Sequence, residues 1–246
     1  MSEVVSVISG KGGTGKTSLC AGIACSLAAG GSRVLCIDAD VGLRNLDISL
    51  GMSGEPILPF TAVMRGEYPL SCAAAHPQIA GLSLLTAPVT ESAESLSEED
   101  FVRLLDEART VFDWILVDAP AGIGAGFRLA TAAADQALVV AGGDPASLRD
   151  AARATDVLLT GRPNMQARLI VNRVSPALFR RMQAMVDDVM DGVGLPLLGI
   201  VPEDSGVTLA AAQGEPLARY PKSGAARACR NIARRLEGKK TPLLLS

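Results

Sequence analysis

Histidine and aromatic side chains are scarce in this chain of 246 residues. Phe, Trp and Tyr together make up 3% of it, so the core must consist of aliphatic residues such as Ala, Val, Leu and Ile. The single histidine, His76, excludes a metal centre built from several histidines. Apolar residues reach 48% and charged residues 20%, a balance that is typical of a globular domain and argues against disorder.

Cysteine is too infrequent for a disulfide scaffold. The chain has an odd number of cysteines, at Cys20, Cys25, Cys36, Cys72 and Cys229. No Cys-x-x-Cys pair exists among them, which argues against zinc and iron–sulfur sites. Buried free thiols in a reducing cytoplasm fit this usage best.

Targeting signals and membrane spans are also missing from the sequence. The first residues lack the basic leader, apolar core and small-residue cleavage site of a signal peptide. No apolar run approaches the roughly 18 residues that a membrane span needs. We therefore expect a cytoplasmic protein.

Runs of apolar β-branched residues alternate with longer amphipathic stretches that are rich in Ala and Leu. The runs predict strands over Val4–Ile8, Arg33–Ile37, Leu82–Thr86, Trp114–Asp118, Ala137–Ala141, Arg168–Asn172 and Leu197–Val201. The longer stretches predict helices over Lys16–Ala29, Glu98–Thr110, Phe127–Ala134, Ser147–Thr160, Pro176–Asp191, Gly206–Gln213 and Ser223–Leu236. Nearly continuous apolar strands between helices predict an α/β fold with a mostly parallel, twisted sheet of about seven or eight strands and helices on both faces.

One domain is expected to contain nearly the whole chain. It covers residues 1–238, and residues 239–246 form a short flexible tail. Segment Gly51–Gln78 carries four prolines and little periodicity, which indicates an excursion over the surface and not a second domain.

A glycine-rich loop follows the first predicted strand. From Ser9 to Thr17 it matches Gly-x-x-x-x-Gly-Lys-Thr between a strand and a helix, as a phosphate-binding P-loop requires. Its backbone N–H groups and the positive end of the next helix attract anions. Lys16 would neutralise the β- and γ-phosphates, and the Thr17 hydroxyl would bind Mg²⁺. The expected nucleotide contacts are Gly10, Lys11, Gly12, Gly13, Thr14, Gly15, Lys16, Thr17 and Ser18.

A second lysine, Lys11, follows the first glycine of this loop. With it the sequence resembles the MinD/ParA family of deviant Walker A ATPases, from Val4 to about Leu236. The resemblance implies a slow, Mg²⁺-dependent ATPase in which two monomers enclose two ATP molecules. It also implies that Lys11 reaches the partner's phosphates as a catalytic group. Arginine fingers supplied in trans raise hydrolysis rates about 10³–10⁵-fold.

Three aspartates follow predicted strands and are expected at the carboxyl edge of the sheet, where open α/β sheets bind ligands. Asp38 and Asp40 end the second strand, and Asp118 ends Trp114–Asp118. Three buried acids need a compensating cation, and Mg²⁺ fits. The resemblance implies that Asp40 orients the attacking water and that Mg²⁺ is supported by Thr17, Asp38 and Asp118.

The sixth predicted strand ends in Asn172-Arg173-Val174-Ser175. The guanine-specific pattern Asn-Lys-x-Asp would need an acid at Ser175, which argues against guanine specificity. The resemblance implies that Asn172 hydrogen-bonds an adenine. It further implies a base pocket that is completed by Arg173, Pro202, Glu203 and Asp204.

Three passages are similar to the MinD branch of the family: Val41–Gly51, Ala119–Arg128 and Asp144–Asp150. The nitrogenase-type and metal-carrier branches need cysteines that this chain lacks. The resemblance implies a dimer or partner face that includes Asn45, Ser147, Arg149 and Asp150.

The implied function is an ATP-dependent dimerising switch that positions cell-division machinery, with partners of the MinC and MinE type. A DNA-partition ATPase of the ParA type is an alternative. It is favoured by segment Arg219–Lys240, in which eight basic residues accompany one acidic residue. Nucleic-acid binding is otherwise not expected. A flagellar-number regulator of the same family is a further alternative.

The C-terminus departs from the MinD branch, whose proteins usually end in a basic amphipathic membrane helix. Ser223–Leu236 is expected to be a core helix, and Pro242 prevents a regular helix through the tail. The tail's three leucines could contribute at most about 4–9 kcal/mol if fully buried. A tail without membrane contact is the simpler expectation. The alternative is weak, reversible binding at the inner face of the cell membrane by two tails of an ATP-bound dimer.

Overall fold

The computed structural model describes residues 2–175, 186–241 and 243. Within them the strands are β1 Glu3–Ile8, β2 Val34–Asp38, β3 Ala74–Ala75, β4 Leu82–Leu85, β5 Trp114–Asp118, β6 Gln136–Gly142, β7 Gln166–Val174 and β8 Leu197–Pro202. They form one sheet in the order β3-β4-β2-β5-β1-β6-β7-β8. Every neighbouring pair is parallel except β3 and β4. The predicted α/β fold with a mostly parallel sheet is confirmed.

Helices occupy the connections between the strands. In the same described residues they are α1 Lys16–Ala29, α2 Leu46–Leu50, α3 Phe60–Met64, α4 Glu98–Arg109, α5 Ala125–Thr131, α6 Pro145–Gly161, α7 Val186–Val193, α8 Ser205–Gln213 and α9 Gly224–Leu236. Short 3₁₀ turns occur at Leu70–Cys72, Ala93–Ser95 and Leu217–Arg219. None of the helices in the described ranges is long and apolar enough to span a membrane.

Two apolar layers cover the sheet. On one face α1 and α9 bury Ile23 and Ile232. On the other face α4 and α5 bury Phe101 and Phe127. The central strands are therefore buried on both sides, which explains why their sequences are continuous apolar runs.

The seven predicted strands are all present, and no end differs from its prediction by more than two residues. Strand β3 was not predicted, because two alanines at a sheet edge carry no hydrophobic alternation. One predicted helix covered Phe127–Ala134, whereas α5 ends at Thr131. Arg162 explains this end, since its guanidinium donates to the carbonyl groups of Thr131, Ala132 and Ala134. The first ten residues of the predicted helix Pro176–Asp191 lie outside the described residues.

Segment Gly51–Gln78 does more than cross the surface. It contains α3, whose Phe60 is fully buried and packs edge-on against Phe101 at a centroid distance of 5.4 Å. The prediction of a simple surface excursion is therefore wrong. The prediction of buried free thiols is also wrong for one cysteine, because Cys72 is free but exposed, whereas the other four are free and buried.

Candidate nucleotide-binding site

The glycine-rich loop connects β1 to α1 at the carboxyl edge of the sheet. Gly13 and Gly15 have φ angles of 78° and 84°, in the left-handed region that glycine adopts without steric cost. Gly15 precedes α1, and no side chain caps that helix. The first N–H groups of α1 therefore remain available to an anion, as the P-loop prediction requires.

Lys16 and Asp118 form a buried ion pair beneath this loop. Lys16 Nζ lies 2.7 Å from Asp118 Oδ1, and the two side chains are 7% and 1% exposed. Burial raises the pKa of Asp118, and the adjacent Lys16 charge and Thr17 hydroxyl oppose that shift. The second carboxylate oxygen, Asp118 Oδ2, is buried and has no hydrogen-bond partner among the described residues.

Asp38 lies beside Asp118 in the paired strands β2 and β5. Its Oδ1 accepts the Asp40 N–H at 3.0 Å, and its Oδ2 accepts the N–H groups of Asn45 and Leu46, each at 3.0 Å. Burial and the nearby charge of Asp118 raise the pKa of Asp38 to about 6, although these hydrogen bonds oppose the shift. Asp38 therefore holds the segment from Asp40 to Leu46 in place, and its role as a direct metal ligand stays a prediction.

A phosphate-side cavity of about 340 Å³ opens above these acids. Half-buried Asp40 lines it together with Lys16 and Thr17. Burial raises the pKa of Asp40, the Lys16 charge lowers it and the Asp38 charge raises it. The exposed Asn45 lines the same cavity. Its lining also includes the predicted contacts Lys11, Gly12, Gly13, Thr14, Gly15, Ser18 and Arg173.

The residues present fit a magnesium ion that is shared with nucleotide phosphates. Within the described part of the chain no three His, Cys, Asp or Glu side chains form a metal cage. An open site of one or two carboxylates plus substrate phosphates is the usual arrangement for Mg²⁺. Asp118 Oδ2 supplies a buried oxygen without a partner, and the Thr17 hydroxyl lies next to it.

A second cavity of about 300 Å³ adjoins the first and is lined by the predicted base-pocket residues. Asn172 Nδ2 donates to the Thr14 carbonyl oxygen at 2.7 Å, which ties β7 to the phosphate loop. A side-chain amide has two N–H donors and a carbonyl acceptor, so Asn172 retains groups with which to contact a base. Arg173 follows with a left-handed φ of 56°. The lining also includes Ser18, Pro202, Glu203, Asp204, Leu217 and Ala225.

Lys11 pairs with an acid other than Asp38, Asp40 and Asp118. Its Nζ lies 3.5 Å from Oδ1 of Asp144, the residue that caps α6 through the Ser147 N–H. Of the predicted face residues on α6, Arg149 is exposed and Asp150 is half-buried. Ser147, which was predicted on the same dimer or partner face, is placed differently, and its membership of that face stays a prediction. Its side chain is buried, and its hydroxyl accepts the Gly142 N–H at 2.7 Å.

Among the residues at the site that were not predicted from the sequence are Asp144, Leu217 and Ala225. Asp144 carries no local signal that it pairs with Lys11, which is 133 residues away. Leu217 and Ala225 lie in a 3₁₀ turn and at the start of α9, far from any nucleotide motif, yet both line the base cavity. Only the tertiary fold brings these residues to the site.

Three solved or curated proteins illustrate the similarity of this chain to known ones. The septum site-determining protein MinD of Synechocystis is 38% identical over 247 residues, covering 99% of this chain and 92% of that protein. MinD in the MinC:MinD cell division protein complex of Aquifex aeolicus has a TM-score of 0.88 at 36% identity and 98% coverage of each chain. MinD of Pyrococcus horikoshii, solved with Mg-ADP, has a TM-score of 0.82 at 26% identity and 96% coverage of each.

A family model agrees with these likenesses and with the geometry of the loop. The model of the CobQ/CobB/MinD/ParA nucleotide binding domain matches residues 5–217. This range includes the phosphate loop, all three aspartates and the residues of β7 and β8 that line the base cavity. The chain therefore belongs to the CobQ/CobB/MinD/ParA family of nucleotide-binding proteins.

Proposed function

We propose that this chain is an ATP-dependent dimerising switch ATPase that takes part in septum placement during cell division. The observation that carries the proposal is the different placement of two lysines of one loop. Lys16 is buried against Asp118, whereas Lys11 is 39% exposed and lies beside Asp144. Lys16 thus neutralises the chain's own nucleotide phosphates, and Lys11 is accessible to a second molecule.

The groups around the phosphate loop support ATP hydrolysis. Backbone N–H groups of the loop and of α1 bind the phosphates, and Lys16 neutralises their charge. Thr17 and Asp118 Oδ2 would hold Mg²⁺, and the ion would supply neutralisation of phosphate charge. Asp40 accepts a hydrogen bond from the attacking water and orients it, because it is the half-buried carboxylate that lines the cavity.

Hydrolysis depends on a dimer in this proposal. To reach a partner's phosphates, Lys11 must leave Asp144. A cation that arrives in trans acts as an arginine finger does, with an effect of about 10³–10⁵-fold on the rate. This dependence makes the monomer slow and ties turnover to association.

The cellular role follows from the relatives. Proteins up to 38% identical over nearly the whole chain are named septum site-determining proteins, and one close structure is MinD in complex with MinC. We therefore propose partners of the MinC type, with an ATPase-stimulating protein of the MinE type as the family resemblance implies. Nothing in this assignment needs nucleic acid.

Light scattering tests the switch. The Asp40→Ala variant, which slows hydrolysis, is measured with ADP and with ATP and Mg²⁺. A monomer with ADP that becomes a dimer with ATP supports the proposal, and adding Lys11→Ala should then abolish the dimer. A particle that stays monomeric with both nucleotides contradicts it.

The proposed domain covers residues 1–238, and residues 239–246 form the short C-terminal tail that follows it. Association with the inner face of the cell membrane is proposed to be weak, because the tail offers few apolar side chains and two lysines. Co-sedimentation with anionic liposomes, with and without ATP, tests this. The absence of pelleting with ATP would leave a purely cytoplasmic protein.

A further inference from the structure

The carboxylate of Asp204 joins two helices beside the base cavity. Asp204 Oδ1 accepts the Gly206 N–H at 2.7 Å and thereby caps α8. Its Oδ2 accepts the Ser223 hydroxyl at 2.7 Å and the Ala225 N–H at 3.0 Å, at the start of α9. One side chain thus satisfies donors at the starts of two helices, which begin at Ser205 and Gly224.

These bonds hold the start of α9 against the end of β8. A Cβ placed on Gly224 would lie 2.9 Å from Pro202 Cγ, so the backbone of α9 is in close contact with the pyrrolidine ring. Pro202, Asp204 and Ala225 all line the base cavity, as does Val207 of α8. The wall of the cavity is therefore built from three elements that meet at Asp204.

Asp204 is ionised in this arrangement. Burial raises the pKa of its carboxyl group, but hydrogen bonds from Ser223, Ala225 and Gly206 outweigh burial and lower the pKa below its usual value. Hydrogen bonds to a carboxylate are stronger than those between neutral groups. The negative charge thus strengthens the contacts that fix α8 and α9.

We propose that Asp204 is a positioning residue for the nucleotide base. Its side chain fixes the cavity wall formed by Pro202, Val207 and Ala225, and it contributes nothing to phosphate binding. This inference rests on the proposed function, because it assumes that the cavity receives the base of ATP. Within the described residues, the side chain of Asp204 accepts hydrogen bonds from Gly206, Ser223 and Ala225 and not from the phosphate loop.

The test compares ATP with inorganic tripolyphosphate, which has no base. Both affinities are measured by isothermal titration calorimetry, with Mg²⁺, for the wild type and for Asp204→Asn. Asparagine keeps the size of the side chain but directs an NH₂ group at one set of donors. We expect the ATP affinity to fall about tenfold, which is about 1.4 kcal/mol, and the tripolyphosphate affinity to stay within twofold.

Two further variants keep the test decisive. Ser223→Ala removes one donor to Asp204 Oδ2 and should lower the ATP affinity about threefold without affecting tripolyphosphate. This variant decides the matter if Asp204→Asn does not fold. Ser97→Ala is the matched control. Ser97 caps α4 by accepting the Asp100 N–H, and α4 packs on the opposite face of the sheet. It should leave both affinities unchanged.

The outcomes separate this inference from the proposed function. Equal losses for ATP and tripolyphosphate, or no loss for either, would overturn the positioning role of Asp204. A wild type that binds both ligands equally tightly would show that the cavity receives no base, and would overturn the inference while leaving phosphate binding intact. A wild type that binds neither ligand would contradict the proposed function itself.

Discussion

Lys11 Nζ lies 3.5 Å from Asp144 Oδ1, so the lysine proposed to act on a partner's nucleotide is paired within its own chain. Both side chains are substantially exposed, at 39% and 57%. Hydrogen bonding to the Ser147 N–H, together with the Lys11 charge, lowers the pKa of Asp144. The pair therefore competes, weakly, with any partner that recruits Lys11.

Removal of the charge on Asp144 should favour the dimer. In Asp144→Asn the side chain still caps α6, because asparagine is as good an N-cap as aspartate. Lys11 loses its ion-pair partner, and exposed pairs contribute about 0.2–1 kcal/mol. Both protomers of a symmetric dimer release this pair, so the gain doubles to about 0.4–2 kcal/mol. We therefore expect ATP-dependent dimerisation, measured by light scattering, to need about two- to thirtyfold less protein.

The matched control for this variant is Asp113→Asn, which breaks another exposed ion pair. Asp113 Oδ1 lies 2.8 Å from Arg33 Nη2, where strands β5 and β2 begin. Dimerisation of this control should be unchanged. If Asp144→Asn weakens the dimer, or if both variants shift it equally, Asp144 does not restrain Lys11.

The local features of the site could be predicted from the sequence, and the long-range ones could not. The loop from Ser9 to Thr17 and helix α1 follow from residues that are neighbours in the chain. Asp118 could be placed at the site because parallel strands end at one edge of the sheet. By contrast, the contacts of Lys11 with Asp144 and of Asp204 with α9 depend on how helices pack, which no local pattern encodes.

Burial separates Ser147 from the other residues of the predicted partner face. Ser147 lies in a segment that resembles a partner face, yet its side chain is buried and its hydroxyl accepts the Gly142 N–H at the end of β6. A serine near a helix start is equally suited to an exposed or an inward position, since its hydroxyl both donates and accepts. Sequence alone could not distinguish these positions.

Breaking the ion pair between Lys16 and Asp118 should destabilise the protein strongly. The Lys16→Met variant leaves Asp118 buried without its partner, and such losses typically cost about 3–5 kcal/mol. The free energy of unfolding, measured in urea without nucleotide, should fall by this amount. Adding Asp118→Asn to the same chain removes the unpaired charge and should restore much of the loss, without restoring ATP binding. A double variant no more stable than Lys16→Met would contradict this account.

The raised pKa of Asp38 predicts a pH dependence of stability. The pKa is about 6 in the folded protein, because of burial and the charge of Asp118, and about 3.9 in an unfolded chain. Between about pH 6 and pH 4 the Asp38 carboxyl group is protonated in the folded protein but ionised in the unfolded chain. The free energy of unfolding should therefore rise as the pH falls through this range. The contribution is at most about 3 kcal/mol.

Urea unfolding of the wild type and of Asp38→Asn between pH 4 and pH 7 isolates this contribution. Other groups titrate in both proteins, so the difference between the two curves reports Asp38. The wild type should gain stability relative to the variant as the pH is lowered through this window. Parallel curves would show that Asp38 titrates normally in the folded state.

A close contact at Gly10 predicts a difference between two glycine substitutions in one loop. A Cβ on Gly10 would lie 2.1 Å from the Asp150 carbonyl oxygen, so Gly10→Ala must push the loop away from α6. The nearest atom to a Cβ on Gly12 is 3.9 Å away, which is an ordinary contact. Neither glycine has a positive φ, so backbone strain does not distinguish them.

We therefore expect Gly10→Ala to lower the free energy of unfolding by about 1–3 kcal/mol, the usual cost of overpacking. Gly12→Ala should change it by less than about 0.5 kcal/mol, as substitutions away from such contacts do. Both values are measured in urea without nucleotide, so that effects on phosphate binding do not enter. Equal losses in the two variants would mean that the contact between Gly10 and Asp150 does not fix the loop against α6.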